Sequence, residues 1–519
     1  MILVYHNTIN VCKVVSTNNI IIPFNSLKNI IEVMQKLAFE YPDQKIVWCH
    51  ETLEHHLNVD EISSSNLTNN SLVSFNPSND NYLTHSVGYF ETSPFVNILK
   101  TVTYTTWQMS SCVGYAHASV FLELKDEIKN CKDFDYYLTS LAKIYIHLGL
   151  FCYSEPKLLL KKDELKTTIV PTASTFTIFK FIKQHCKSRW VLLVLINFIV
   201  YEKRYPIFPF LFSLFYKKNS ISAYVPSKLN LINSNIDLNS NTIDVLIPTI
   251  GRKKYLYDVL LDLKNQTVLP KNVIIIEQNG ALNSVTELDY LKNEIWPFTI
   301  NPIFTNTLGV CNARNLGLNE IKSKWVFLAD DDIRFESNFL ENCLQNVIQY
   351  NAKATTLSCL KTNEKIPNVN PSQWETFGSG CSFVLSEIIY NIRFNIGFEF
   401  GFGEDADFGR KIRNSGHDII FFPKPMILHL KAPIGGFRTQ FKFDWDTDVF
   451  APKPSPTMML YKILHDTKQE TRSYKTVLFF KYYKKQAIKN PVKYYKVFKK
   501  QWNNSVFWAN KLNLKSNNL

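Results

Sequence analysis

No two cysteines in this 519-residue chain are spaced CxxC; all ten (12, 49, 112, 131, 152, 186, 311, 343, 359 and 381) stand apart. That excludes a zinc ribbon, a thioredoxin-type site and a secreted disulfide framework, and fits a reducing compartment. Glycine is scarce at 16 residues and proline numbers 22, while 45% of residues are hydrophobic and 20% charged. Collagen-like, low-complexity and wholly disordered classes are thereby excluded. Long apolar runs are missing too. The longest, 191–200 (VLLVLINFIV), is interrupted by Asn197 and is about half the ~20 residues a spanning helix needs. The first residues, MILVYHNTINVCKVV, hold no basic segment leading into a sustained apolar one, so they read as a first strand and not a signal peptide. The expectation is a cytoplasmic protein without a transmembrane helix.

Acidic residues are nearly absent from the end of the chain. From residue 461 onward there are 14 Lys or Arg against Asp466 and Glu470, a local net charge of +12 out of +13 overall. Tyr482, Tyr483, Tyr494, Tyr495, Trp502 and Trp508 are interleaved with them. Basic and aromatic residues together suit an anionic membrane surface, here its cytoplasmic face. A solvated helical tail whose aromatics pack back on the body is the other reading, and both stay open. Nucleic acid is not expected as a partner, because the body carries no RRM, KH or zinc signature.

Composition divides the chain at three places. Residues 1–160 mix strand and helix patterns around an Asn/Ser-rich stretch at 63–81 that reads as a loop too polar for a core. Residues 161–240 form a helical, amphipathic connector, suited to packing against a domain or to lying on a bilayer, and end in a polar linker at 230–241. Residues 241–440 follow a β-α-β-α rhythm, and 441–519 are the basic aromatic region. In the third segment IDVLI (243–247), NVIII (272–276) and WVFLA (325–329) read as buried strands, with helices at 253–265 and 310–321. That order predicts an α/β fold with a doubly wound, mostly parallel sheet and its ligand beyond the carboxyl ends of the strands.

Those ends carry chemistry. WVFLA runs into Asp330, Asp331 and Asp332, and three adjacent carboxylates repel one another unless a cation or donor-rich ligand is present. Hard oxygen ligands of this kind suit Mg²⁺ or Mn²⁺. PTIGR (Pro248 to Arg252) ends the first strand, Glu277, Gln278 and Asn279 end the second, and GVCNARNLG (309–317) opens a helix bearing Arg314 and Asn315. Further on, Gly403, Glu404, Asp405 and Asp407 open another helix, and His429 follows a strand-like stretch at 419–422.

Taken in order, PTIGR, IIIEQN, GVCNARNLG, FLADDD and FGFGEDADFGRKIRNSG resemble the nucleotide-sugar glycosyltransferases of the GT-A fold, and among them the large inverting family that includes cellulose, chitin and hyaluronan synthases. The resemblance covers about residues 242–435. It implies a Rossmann-like GT-A domain that moves a sugar from a nucleotide-sugar donor, UDP-linked, to a glycan or lipid-linked oligosaccharide acceptor. It implies donor contacts from Pro248, Thr249, Arg252, Glu277, Gln278, Arg314, Asn315, Asp330 and Asp331. Metal ligation, by Mn²⁺ or Mg²⁺, falls to Asp330, Asp332 and His429. Asp405 becomes the general base, with Glu404, Gly403 and Trp374 on the acceptor side and Lys431 and Arg438 near the diphosphate. Gln278 departs from the acidic residue often found at its position.

The first domain echoes the third. Sliding by 267 places Gly149 on Gly416 and Lys143 on Arg410, and puts Tyr137 and Leu138 on Glu404 and Asp405. On that register residues 1–160 are an inactive, GT-A-like copy; chance likeness of two amphipathic helices is the alternative. For the whole chain the competing class is a non-catalytic subunit that binds nucleotide sugar or glycan.

Overall fold

The structure, a computed structural model, describes residues 1–18, 20–24, 29–124, 128, 131–161, 172–219, 237, 240–366, 369–433 and 441–517. Arg438 and most of the linker at 230–241 lie outside the described residues. The chain divides into two compact units: Met1–Leu231 with Asp466–Val477, and Ile232–His465 with Leu478–Leu519.

Unit 1 is built on a seven-stranded sheet. Its strands are β1 (Ile2–His6), β2 (Val11–Ser16), β3 (Lys45–His50), β4 (Ser71–Phe75), β5 (Tyr104–Thr105), β6 (Val113–His117) and β7 (Phe151–Ser154), in spatial order β2-β1-β3-β6-β4-β7-β5. The opening residues thus form two antiparallel strands where the sequence suggested one. The polar stretch at 63–81 is also not all loop, because it contains β4, which is buried at every position between β6 and β7. Its serines are tolerated there because they have partners: the Ser74 hydroxyl accepts from the Ser110 N–H at 3.0 Å, and that of Ser71 meets Thr68 at 3.3 Å. The connector contributes helices Thr175–His185, Arg189–Asn197 and Ile207–Ser213, with Phe179, Phe181, Val194 and Phe198 in the core. Residues of the distant segment 466–477 complete the unit. Asn97 donates to Glu470, Ser473 donates to the Tyr89 carbonyl at 2.7 Å, and Thr476 donates to Asn197 at 2.7 Å.

Unit 2 carries nine strands: β8 (Ile243–Thr249), β9 (Asn272–Gln278), β10 (Thr299–Thr305), β11 (Trp325–Ala329), β12 (Ile333–Arg334), β13 (Ala354–Leu360), β14 (Ser372–Gln373), β15 (Cys381–Leu385) and β16 (Ile420–His429). Their order is β10-β9-β8-β11-β15-β13-β16-β12, with β14 also paired to β16. β8, between parallel neighbours, and β11, between parallel β8 and antiparallel β15, are buried throughout, as apolar runs in the middle of a covered sheet require. The one charge inside β8, Asp244, is matched at both oxygens, by Asn272 at 2.7 Å and by the N–H groups of Lys322 and Ser323 at 2.7 and 2.9 Å. Helix Val310–Leu318 packs so closely on β8 that a Cβ at Gly317 would meet Leu246 at 2.0 Å. The basic aromatic end is the helix Pro491–Asn517, in which Tyr494, Phe498 and Trp502 are buried, while Trp508 donates to Asp448 at 2.6 Å. Much of its aromatic content is therefore spent on packing.

The two sheets share a plan. β1-β3-β6-β4-β7-β5 pair in the sense parallel, antiparallel, antiparallel, parallel, antiparallel, and so do β8-β11-β15-β13-β16-β14. The registers agree, since Cys49 faces Val113 as Ala329 faces Cys381. His50, the last residue of β3, with Glu51 and Thr52 after it, therefore stand where the three aspartates follow β11. The helices Phe134–Tyr145 and Glu404–Asn414 also correspond, but three residues away from the register that Gly149 and Gly416 suggested. Asp135 takes the place of Asp405, and Lys143 that of Arg413 instead of Arg410. The extra residues lie between Asp135 and Gly149, so aligning on the glycine displaces the start of the helix.

Candidate active site

Thr249, at the end of β8, donates to the Asp331 carboxylate at 2.7 Å, and Arg252 from the following turn donates to its other oxygen. Gly251 makes that turn with φ 59°, a conformation that favours glycine. Burial, only partly offset by Arg252 and Thr249, pushes Asp331 up to about 6. Asp332 behaves oppositely. Although burial raises it, hydrogen bonds from His429 and from the Ala432 N–H (2.8 Å), with the Arg252 charge 3.6 Å away, hold it at about 2. His429 Nε2 lies 3.4 Å from Asp332 Oδ1 and is itself held above the ordinary histidine value by that contact. β12 pairs with β16 through Ile333 and His429, which places the histidine beside the strand end.

Asp330 turns the other way, toward Arg314 Nη2 at 3.1 Å. Arg314 is buried on helix Val310–Leu318 and stands over the Phe394 ring at 5.5 Å. Gly380 makes room for this carboxylate, since a Cβ there would come within 2.1 Å of Asp330 Oδ2. Asp332 and His429 thus offer one carboxylate oxygen and one ring nitrogen side by side, a donor set suited to Mn²⁺. The third member of the expected trio is not gathered with them, and among the described residues no group of three His, Cys, Asp or Glu side chains is arranged to hold an ion.

On the far side of the cleft, Gly403 (φ 119°) starts the Glu404–Asn414 helix. Asp405 accepts from both the N–H and the hydroxyl of Ser379. Burial raises its pKa above the usual carboxylate value, opposed by Arg314 and Ser379. Glu404 is pushed up to about 7 by burial and by the neighbouring Asp405 charge. Asp407 points elsewhere, to His465 at 2.8 Å and Lys411 at 2.7 Å, and fastens the helix to Pro456–His465.

Other expected site residues are engaged locally. Glu277 accepts from Thr286 and from the Glu287 N–H at 2.8 Å, shaping the loop after β9. Gln278 accepts from the Gly309 N–H at 2.7 Å. Asn315 is bonded at both ends of its amide to the Phe394 backbone, at 2.8 and 2.7 Å. Trp374 stacks on Phe421 at 4.7 Å. Pro248 is buried within β8. No sequence pattern marks Glu399, whose carboxylate caps helix Val310–Leu318 by accepting from the N–H groups of Cys311 and Asn312 at 3.0 and 3.1 Å. Such an acid suits the positive end of a helix.

Residues 244–407 match the sequence profile of glycosyl transferase family 2. This stretch is a glycosyl transferase family 2 domain. No curated protein matches the chain. Among solved structures, S. aureus TarS 1-349 is 15% identical, with 36% of this chain and 59% of that one covered at a TM-score of 0.31. The same protein in complex with UDP-GlcNAc is 15% identical, covers 45% and 70%, and has a TM-score of 0.34. GalNAc-T7 with UDP, GalNAc and Mn²⁺ is 14% identical, covers 37% and 44%, and has a TM-score of 0.32. The chain spans about three-fifths of the first of these. The family 2 domain ends within the Glu404–Asn414 helix, so it takes in the strand ends of β8, β9 and β11 together with Asp405.

Proposed function

We propose that unit 2 is a glycosyltransferase that moves a sugar from a nucleotide-sugar donor, UDP-linked, to a glycan or lipid-linked acceptor with inversion. The observation that carries this reading is the meeting of two carboxylate groups from distant segments of the family 2 domain. Asp330 to Asp332 stand at a strand end among Thr249, Arg252 and Arg314, and Asp405 stands across from them on Ser379. Arg252 and Arg314 suit a diphosphate. Asp332 and His429 would hold a divalent ion, Mn²⁺ or Mg²⁺, while Asp330 stays on Arg314; the ion, when bound, would supply positive charge to the leaving diphosphate. Asp405 would take the acceptor hydroxyl proton as the bond to the anomeric carbon forms, while Ser379 keeps the carboxylate oriented and Glu404 helps to hold the acceptor. Kinship with the cellulose, chitin and hyaluronan synthases belongs to the same reading, as does a cytoplasmic location.

The test is thermal stability against a panel of nucleotide sugars, with and without Mn²⁺, for the native chain and Asp332→Ala. A ligand that binds the folded state raises its apparent stability by mass action. A metal-dependent rise with one or a few donors, lost in the variant, is the expected outcome. No rise with any donor would favour the binding-subunit reading.

We also infer that residues 1–160 are a second copy of the fold without a donor site. The common pairing plan supports this, together with three substitutions of structure: an antiparallel β2 where β9 runs parallel to β8, no partner for β10, and His50, Glu51 and Thr52 in place of the aspartates. Titration calorimetry with UDP should give one site per chain, and none in Asp332→Ala.

A further inference from the structure

Beyond the residue that ends the five-residue turn Phe198–Glu202, the chain exposes an apolar surface that none of the described residues of unit 1 covers. Lys203 takes a left-handed conformation (φ 58°) and redirects the backbone, and the short helix Ile207–Ser213 follows. Phe210 is the inward side chain, edge-on to Phe179 at 6.4 Å. The outward residues are large: Tyr205 is 68% exposed, Phe208 78%, Phe212 60% and Phe215 86%, with Ile207, Leu211 and Leu214 also exposed. At about 150–250 Å² for each aromatic side chain, this exceeds the few hundred Å² of contiguous apolar surface that soluble monomers usually leave open. The Phe212 ring centre lies 6.0 Å from that of Phe176 and 6.4 Å from that of Phe215, so the patch is continuous with exposed Phe176 on helix Thr175–His185.

Charge says what covers it. Lys203 and Arg204 stand at one end of the patch and Lys217 and Lys218 at the other, all exposed. Residues 175–218 hold eight Lys or Arg and a single acid, Glu202, whose side chain is largely covered and faces Arg204. Protein interfaces deplete lysine around their apolar centres, whereas an apolar centre with cationic flanks matches the depth profile of an anionic bilayer: rings in the acyl boundary, amines among the headgroups. The basic helix Pro491–Asn517 buries Tyr494, Phe498 and Trp502 and exposes only Val492, Tyr495, Phe507 and Leu514 as large apolar residues over its 27 positions, a much sparser apolar face. Among the described residues no helix is long and apolar enough to cross a membrane, so the contact is one of surface insertion.

We propose that residues 203–218 form a docking surface for an anionic phospholipid bilayer. It is independent of the donor site. The full chain is sedimented with vesicles of phosphatidylcholine alone and of equimolar phosphatidylcholine and phosphatidylglycerol. Binding is expected only to the second. Phe208→Gln with Phe215→Gln should lower it by roughly tenfold or more, with melting temperature and nucleotide response unchanged because both rings face outward. Lys203→Gln with Lys217→Gln should cost about a factor of five per charge. Lys493→Gln with Lys496→Gln, on the terminal helix, should cost less than either. Equal binding to neutral vesicles, wild-type binding by the double phenylalanine variant, or no vesicle binding at all would overturn the proposal. So would self-association abolished by the phenylalanine changes without vesicle binding, which would assign the face to a second copy of the chain.

Discussion

β3 and β11 occupy the same place in their sheets and end very differently. After β11 come three carboxylates, each with an assigned partner: Asp330 on Arg314, Asp331 on Arg252 and Thr249, Asp332 on His429. β3 ends on His50, edge-on to His6 at 5.5 Å. His6 is held neutral, lowered to about 4 by burial, and its Nε2 meets the Ser111 carbonyl at 2.8 Å. The serine–aspartate contact nevertheless recurs. Ser111 donates to Asp135 through its N–H at 2.8 Å and its hydroxyl at 2.7 Å, just as Ser379 serves Asp405. The carboxylates after β11 depend on arginines brought by the β8 turn and by helix Val310–Leu318. In unit 1 the first is replaced by a hairpin, and the matching helix Ile30–Glu40 turns Ile30, Met34 and Leu37 inward. The serine–aspartate contact needs only the loop into β6 and one helix start, both of which persist.

The sharpest way to break this comparison is to neutralise each aspartate in turn. Asp405→Asn should lower transfer by about 10²- to 10⁴-fold, the usual contribution of a general base, while Asp135→Asn leaves it unchanged in a steady-state assay; loss of transfer with the fold intact in the second variant would give unit 1 a working site. Gly380→Ala comes next. The added methyl would collide with Asp330, and donor affinity by calorimetry should fall by roughly tenfold, whereas Cys112→Ala at the matching place in unit 1, where no such carboxylate stands, should leave affinity alone.

The pH dependence of stability sharpens the contrast further. Asp135 is 2% exposed, and burial lifts it from 3.8 to about 7 in the folded chain. A raised carboxyl means the folded state binds more protons than the unfolded one between those values, so stability should fall as pH rises from about 4 to 7, by an order of a few kcal/mol. Asp135→Asn should flatten that slope in denaturant melts. Asp332, held at about 2, acts in the opposite sense: its contribution is present above about 4 and is lost as pH falls toward 2. The smallest effect is expected for Ser111→Ala, about 1–2 kcal/mol of stability for a buried carboxylate deprived of one donor; Ser379→Ala should be felt in turnover instead.

The central strands β8, β9 and β11 could be placed from sequence because a strand in the middle of a sheet covered on both faces reads as a short apolar run. β4 could not, since its two serines find donors and acceptors only in the folded sheet. The three aspartates, Arg252, Arg314 and Asp405 are legible because each closes or opens an element with a strong pattern. Glu399 is not: it is one acid in an aromatic stretch, and its task depends on a helix nearly 90 residues earlier in the chain. Asp135 is hidden by arithmetic of a different kind, because three extra residues between it and Gly149 move the start of the helix while the glycine after it stays in register.

Unit 1 is discontinuous, and that has a consequence for synthesis. Its residues 1–231 emerge first, but Glu470, Ser473 and Thr476, which satisfy Asn97, Tyr89 and Asn197 within the same unit, emerge only after almost all of unit 2. A chain made from its amino end therefore holds the first unit open at those positions throughout translation of the catalytic domain, and closes it last.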